Sequence, residues 1–187
     1  MSKFYTRKGD DGTTSWLGKG RIKKFDLRLE TLGTLDETSA FLGMARAQVK
    51  TEQIKDMILQ IQRDLYAIMT EVAADPNVAN HFRILQEDRV TWLEEQTEAI
   101  TDEVRLPSDF VIPGDTVGGG ALDVARTVIR RAERRVTELH HSGGIANPFL
   151  LSYLNRMSSL LFVMELLETK TEGIQTPNLA KKSPNIE

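Results

Sequence analysis

The sequence predicts an all-α protein, a five-helix bundle of the ferritin-like up-and-down type that follows an ordered N-terminal loop. Apolar residues recur at helical spacing in five segments, and short links rich in glycine or proline separate these segments. The chain has 187 residues, of which 40% are hydrophobic, and this length suits one domain with a substantial core. We expect a single domain over residues 1–170, with its loop over residues 1–26 and a flexible tail over residues 171–187.

Each predicted element rests on a local signal. The first 26 residues contain four glycines and no sustained period, which predicts an ordered loop or a hairpin around Trp16 and Leu17. Proline and glycine then mark the ends of the helices, and residues 110–115 form a short strand-like piece that ends in a turn. The predicted helices cover residues 27–49, 52–74, 87–104, 121–141 and 148–170.

Composition excludes several classes of protein. The chain has no cysteine, so a disulfide framework, a thiolate zinc site and a cysteine nucleophile are excluded. No segment approaches the roughly 20 apolar residues of a membrane span, and the first 20 residues lack the apolar core of a signal peptide. We therefore expect a cytoplasmic protein with no membrane partner.

Charge is distributed unevenly along the chain. The net charge is −3, yet residues 1–28 carry eight basic and three acidic side chains, so this segment is +5 and the remainder −8. A second basic cluster lies at residues 126–135. Two basic segments in an acidic protein indicate a local anion site, although solvated helix faces are the alternative.

The fourth predicted helix carries the second cluster. Its apolar stripe leaves Arg126, Arg130, Glu133 and Arg134 together on another face, while Arg131 and Arg135 project elsewhere. Ordinary intrahelical ion pairs, worth about 0.3 kcal/mol each, are the alternative explanation. Three arginines on one face repel unless an anion lies opposite, either a triphosphate or an acid on a neighbouring helix such as Asp36.

The N-terminal loop has a composition that suits phosphate. Its glycines allow backbone N–H groups to approach phosphate oxygens, and its hydroxyl and basic side chains add donors and charge. Asp10 or Asp11 could hold Mg²⁺ directly or through water. The Walker spacing is absent, so the loop alone is a weak signal.

Four blocks in this order resemble the PduO-type ATP:cob(I)alamin adenosyltransferases. They are Tyr5-Thr6-Arg7 with Gly9-Asp10 and Gly12, then Gly33-Thr34-Leu35-Asp36-Glu37, then Arg126-Thr127 with Arg130-Arg131-Ala132-Glu133-Arg134, and finally Tyr153-Leu154-Asn155-Arg156. The resemblance covers residues 3–165. It implies a five-helix bundle that assembles as a homotrimer, with each active site between two subunits. Members transfer the 5′-deoxyadenosyl group of ATP to the cobalt of reduced cobalamin and release triphosphate.

The resemblance also assigns roles to individual residues. Arg126 would pair with Asp36 across the subunit interface, Arg130 would stabilise the leaving triphosphate, and Phe110 would exclude the lower axial ligand of cobalamin. Cob(I)alamin is itself the nucleophile, so the protein supplies orientation and charge rather than an attacking side chain. The residues implied to bind ATP are Thr6, Arg7, Lys8, Gly9, Asp10, Gly12, Thr13, Thr14, Ser15, Lys24, Arg130, Arg131, Glu133, Arg134 and Asn155.

The implied substrates are ATP with Mg²⁺ and a reduced corrinoid, and the implied protein partners are a flavoprotein reductase and an adenosylcobalamin-dependent enzyme. The chain departs from the family pattern at Asp115, Ser159 and Leu166, where the family has glycine, aspartate and arginine. These changes favour the alternative of a non-catalytic carrier or regulator that binds ATP or adenosylcobalamin. A helical interaction module for RNA or acidic partners is a third interpretation, which the net charge of −3 disfavours, so we expect no nucleic-acid partner.

Overall fold

Five long helices follow a small antiparallel hairpin in the computed structural model, which describes residues 7–181. The predicted all-α class and helix count are confirmed, and most predicted ends agree to within one residue. A 3-10 helix, Ala79–Phe82, joins the second and third helices. The elements are β1 (Thr13–Ser15), β2 (Arg21–Lys23), α1 (Leu27–Gln48), α2 (Glu52–Ala73), α3 (Glu87–Glu103), α4 (Val117–His141) and α5 (Phe149–Thr171).

The apolar stripes of these helices meet in one core. Helix α1 packs against α2 and α4, α5 covers the other side of α4, and α3 packs on α5. Leu35, Ile61 and Ile129 are fully buried in this core. The stripe predicted for the fourth helix is buried along its length, which leaves the opposite face of α4 for polar side chains.

A buried polar network ties three of the helices together. The Tyr153 hydroxyl of α5 donates to Asp64 Oδ2 of α2 at 2.7 Å, and Arg89 Nη2 of α3 donates to the same oxygen at 2.7 Å. Gln60 also donates to this carboxylate, at 3.0 Å. Burial and the neighbouring Asp64 carboxylate raise the pKa of Tyr153 well above its usual value, so the phenol stays protonated as a donor.

The start of α4 differs from the prediction. The three glycines at 118–120 indicated a loop, but α4 begins at Val117, and the Thr116 hydroxyl caps it by accepting from Gly119 N at 3.0 Å. A Cβ atom at Gly118 would lie 3.0 Å from the Glu168 side chain, and one at Gly119 would lie 2.9 Å from Thr169 Oγ1. These glycines therefore serve close helix packing between α4 and α5 rather than a turn.

The tail also differs from the expected flexible segment, as far as residue 181. Ala180 N donates to the Phe110 carbonyl at 2.8 Å, and Ile112 N donates to the Asn178 carbonyl at 2.7 Å. Val111 and Leu179 thus form an antiparallel bridge. The sequence suggested fraying because the tail is polar and contains prolines, yet its backbone supplies the pairing partner of the strand-like piece at 110–112.

Helix α5 is the one helix within residues 7–181 that is long and apolar enough to cross a membrane. Of its most apolar window, 67% is buried inside the bundle. A core helix of this kind passes the same length and composition test, so the feature is weak evidence for a membrane span.

Candidate functional site

The N-terminal loop folds as a hairpin fixed to the end of α2. Strand β1 pairs with β2 so that Thr14 lies opposite Ile22 and Ser15 opposite Arg21. Leu17 N donates to the Ala73 carbonyl at 3.0 Å, which ties the hairpin turn to the last residue of α2. Thr13, Thr14 and Ser15, predicted to bind the nucleotide, therefore lie on a strand held by the bundle. Thr6 lies outside the described residues.

Lys24 lies beside the glycines of the loop. A Cβ atom on Gly9 would lie 3.2 Å from Lys24 Nζ, so glycine at this position leaves room for the ammonium group. Lys24 N also donates to the Gly12 carbonyl at 2.9 Å, and Gly12 has a φ of 79°, which favours glycine. The arrangement places one positive charge beside a backbone that a phosphate group can approach closely.

Arg21, which sequence reasoning missed, holds the loop in shape. Its Nε donates to Thr13 Oγ1 at 2.6 Å and its Nη2 to the Thr13 carbonyl at 3.0 Å. Thr13 in turn donates its amide and hydroxyl to Asp11 Oδ1 at 2.9 and 2.8 Å. These hydrogen bonds from Thr13, with Arg21 nearby, lower the pKa of Asp11.

The two acidic candidates for Mg²⁺ therefore differ. Asp11 Oδ1 is occupied by Thr13, whereas Asp10 is exposed and its carboxylate accepts no hydrogen bond from residues 7–181. No group of three or more potential metal ligands was found among the residues that the structure describes. Asp10 is thus the better placed of the two to meet an ion that arrives with a nucleotide. Arg7 and Lys8 are exposed next to it.

The polar face of α4 brings together four of the predicted residues. Arg130, Glu133 and Arg134 line one cavity of about 290 Å³ with Thr137. Asn155 of α5 donates to Glu133 Oε1 at 3.0 Å, and Arg134 Nη1 donates to the Arg130 carbonyl at 2.9 Å. The Arg130 guanidinium is exposed and has neither an ion pair nor a hydrogen bond within the described part of the chain. This group is therefore free to bind an external anion.

Arg131 and Arg126 point to other partners. Arg131 forms an ion pair with Glu37 of α1, which joins α4 to α1. Arg126 donates to Asp123 Oδ1 at 2.7 Å on its own helix, while Asp36 is exposed on α1. The Arg126–Asp36 pair does not form within one subunit, and its formation between two subunits stays a prediction.

Phe110 lies on the surface beside a second cavity. Phe110 is 83% exposed, so packing in the core does not explain why an aromatic residue stands at this position. It lines a cavity of about 570 Å³ together with Arg126, Asp123, Glu165 and Phe162. The structure thus brings together Phe110 and Arg126, two residues that the sequence assigned to one site.

Glu165 is the second residue that sequence reasoning missed. It is only 4% exposed in this cavity, and its pKa is raised to about 7, first by burial and then by the Asp123 and Asp115 carboxylates, against the opposing charge of Arg126. A single acid inside the apolar run of α5 was the available signal. Of the two departures from the family pattern that lie in α5, Leu166 is buried in packing and Ser159 is exposed.

Within one subunit, the hairpin lies apart from the arginine face of α4, which consists of Arg130, Glu133 and Arg134. The hairpin contacts the end of α2, and no hairpin residue lines the cavity of Arg130, Glu133 and Arg134. A helical bundle with a glycine-containing hairpin, a free arginine face and a separate aromatic cavity defines a class of protein that binds an anionic ligand without a Walker loop.

The chain belongs to the cobalamin adenosyltransferase family, whose sequence model matches residues 4–168. A corrinoid adenosyltransferase from Bacillus subtilis is 35% identical over 176 residues, which cover 92% of this chain and 89% of that protein.

Solved structures agree with this assignment. A phenylalanine-to-alanine variant of the PduO-type ATP:corrinoid adenosyltransferase from Lactobacillus reuteri, complexed with cobalamin and ATP, has a TM-score of 0.89 and 31% identity. It covers 96% of this chain and 100% of its own. An arginine-to-lysine variant of that protein, complexed with ATP, has a TM-score of 0.86 and 30% identity, with 95% and 100% of the two chains covered. The resemblance found in the sequence is therefore confirmed.

Proposed function

We propose that this protein transfers the 5′-deoxyadenosyl group of ATP to the cobalt of a cob(I)alamin or related corrinoid and releases triphosphate. The observation that carries the proposal is that α4 lines two different cavities. One contains an unpaired arginine beside Glu133, and the other lies near Arg126 and has an aromatic wall. One part suits a polyanion and the other a large apolar ring. The relative complexed with both cobalamin and ATP supports this division.

The ATP side is served by two groups of residues. Arg130 and Arg134 face an anion from α4, Glu133 and Asn155 offer polar contacts, and the hairpin supplies hydroxyl and backbone donors with Lys24. Charge grows on the triphosphate as its bond to C5′ breaks, so fixed positive charge is most stabilising at that moment. Mg²⁺ would arrive with ATP and meet the exposed Asp10.

The corrinoid side depends on exclusion and position. Reduced cobalt attacks C5′ with its own electron pair, a cobalt–carbon bond forms, and the C5′–oxygen bond breaks towards triphosphate. The exposed ring of Phe110 would cover the lower face of the corrin and exclude water and the axial base. A cobalt with four ligands is easier to reduce to cob(I)alamin, and the reaction requires this reduced form.

The separation of hairpin and arginine face supports a site shared between subunits. A homotrimer would bring the hairpin of one subunit to the arginine face of the next, and Asp36 to Arg126. We propose a cytoplasmic enzyme that receives reduced corrinoid from a flavoprotein reductase and passes its product to an adenosylcobalamin-dependent enzyme.

The roles are tested by anaerobic assay of Arg130→Ala with ATP, Mg²⁺ and chemically reduced cobalamin. Loss of one preorganised donor to the leaving group lowers kcat by about 10²–10³-fold, and the bundle should remain folded by circular dichroism. Arg135→Ala is the matched control because Arg135 pairs with Glu138 at 2.9 Å and lies outside the cavity. Wild-type turnover by Arg130→Ala would contradict the assignment of the ATP site.

A further inference from the structure

The segment that presents Phe110 is tied to the rest of the molecule through the C-terminal strap, residues 178–181. Asp109 forms an ion pair with Lys181 at 3.2 Å, and Phe110 and Ile112 exchange backbone hydrogen bonds with Ala180 and Asn178. Within the described range, every hydrogen bond and ion pair from residues 109–115 to another segment goes to this strap.

Asp115 makes the most specific of these contacts. Its Oδ2 accepts from Asn178 N at 2.8 Å, and its Oδ1 accepts from Asn178 Nδ2. One carboxylate therefore binds both the backbone and the side chain of Asn178. Hydrogen bonds to a charged acceptor are about twice as strong as neutral ones. The two bonds from Asn178 to Asp115 therefore hold the segment to the strap more strongly than the exposed ion pair of Lys181 does.

We propose that Asp115 and Asn178 are positioning residues that clamp the Phe110 segment against the strap and so hold Phe110 where the lower face of the corrinoid binds. This inference rests on the proposed function and deepens it. Gly114, which precedes Asp115, has a φ of 111° and no side chain to pack, and the segment on either side of it is largely exposed. Without the clamp, Phe110 would occupy several positions, and only some of them would exclude water from cobalt.

The test uses full-length protein and one reciprocal exchange. Asp115→Asn keeps the shape of the side chain but removes its charge, so the hydrogen bonds that Asn178 donates to a carboxylate become neutral and weaker. Adding Asn178→Asp returns a carboxylate to the pair, so a charged acceptor is restored and the side-chain hydrogen bond runs in the opposite direction. Thr176→Ala is the control, since Thr176 is exposed on the same tail two residues before Asn178.

Two readouts separate the clamp from its effect on chemistry. Hydrogen exchange at the Ile112 amide, which donates to the Asn178 carbonyl, should accelerate by about tenfold or more in Asp115→Asn and recover in the double variant. The visible spectrum of cob(II)alamin bound with ATP should show a smaller four-coordinate fraction in Asp115→Asn, with about tenfold slower transfer and an unchanged Kd for ATP.

Recovery of the spectrum and the rate in the double variant would support the proposal. Unchanged exchange in Asp115→Asn would overturn the clamp itself. Faster exchange with an unchanged four-coordinate fraction would overturn its positioning role. If the wild type fails to transfer the adenosyl group at all, the proposed function fails, and the exchange result still decides whether the clamp exists.

Discussion

Phe110 is highly exposed and lines a cavity, and these two features together give a sharp prediction for this one residue. Phe110→Ala should slow transfer by about 100-fold while the Kd for ATP changes less than about twofold, because the ring acts on cobalt rather than on the nucleotide. Tyr66→Ala, at an aromatic 71% exposed on α2, is the control. An equal loss of transfer and of ATP affinity would contradict this role.

Glu165 gives a prediction for stability against pH. Its pKa is raised to about 7 in the folded protein from an ordinary 4.5, mainly by burial. Between these values the unfolded chain has lost the proton that the folded state keeps, so this group lowers stability progressively from pH 4.5 to 7 and fully above pH 7. Above pH 7 this group lowers the free energy of unfolding by about 3 kcal/mol.

Glu165→Gln removes this penalty, so its free energy of unfolding should exceed that of the wild type at pH 8 and approach it near pH 5. Urea titrations at the two pH values measure the difference. Glu138→Gln, at an exposed acid on α4, is the control and should differ little between the two. A gain from Glu165→Gln that is the same at both pH values would contradict the assigned pKa.

At the scale of elements, Asp64 joins three helices. Asp64→Ala removes the acceptor of both the Tyr153 hydroxyl and Arg89 and leaves these groups without their partner inside the bundle. We expect a loss of about 3 kcal/mol in the free energy of unfolding, measured by urea denaturation. Asp56→Ala tests an exposed acid on the same helix and should cost less than about 0.5 kcal/mol. Comparable losses in the two variants would show that the network does not hold the helices.

The helices were predictable because apolar residues recur at helical spacing in each of them, and the stripe of α4 is buried as expected. The start of α4 was missed because Gly118 and Gly119 are typical of loops in local sequence, whereas their purpose is contact with Glu168 and Thr169 on α5. The pairing of Leu179 with Val111 was missed because it joins two segments that lie far apart in the chain. Such features depend on which distant segment packs nearby.

The residues of the candidate site were also predictable only in part. Spacing alone placed Arg130, Glu133 and Arg134 on one face, and composition identified the hairpin. Spacing also grouped Arg126 with them, but the structure places it in the cavity of Phe110 and pairs it with Asp123. Glu165 joins that cavity through the packing of α5 on α4, which local sequence does not encode.

At the scale of the whole molecule, the separation of hairpin and arginine face predicts complementation between subunits. Lys24→Ala and Arg130→Ala should each be inactive alone, but co-expression at equal levels should restore activity to about a quarter of wild-type sites, because some interfaces in a ring join two intact halves. The rate of transfer per subunit measures this. Activity that stays at the level of the single variants would place both halves in one subunit.

The most direct measurement follows wild-type protein with ATP, Mg²⁺ and chemically reduced cobalamin without oxygen, and records the visible spectrum and the triphosphate released. The account predicts repeated, protein-dependent conversion to adenosylcobalamin, with one triphosphate for each cobalt–carbon bond. Binding of ATP or adenosylcobalamin without conversion would contradict the account and would identify the chain as a carrier or regulator of the same fold.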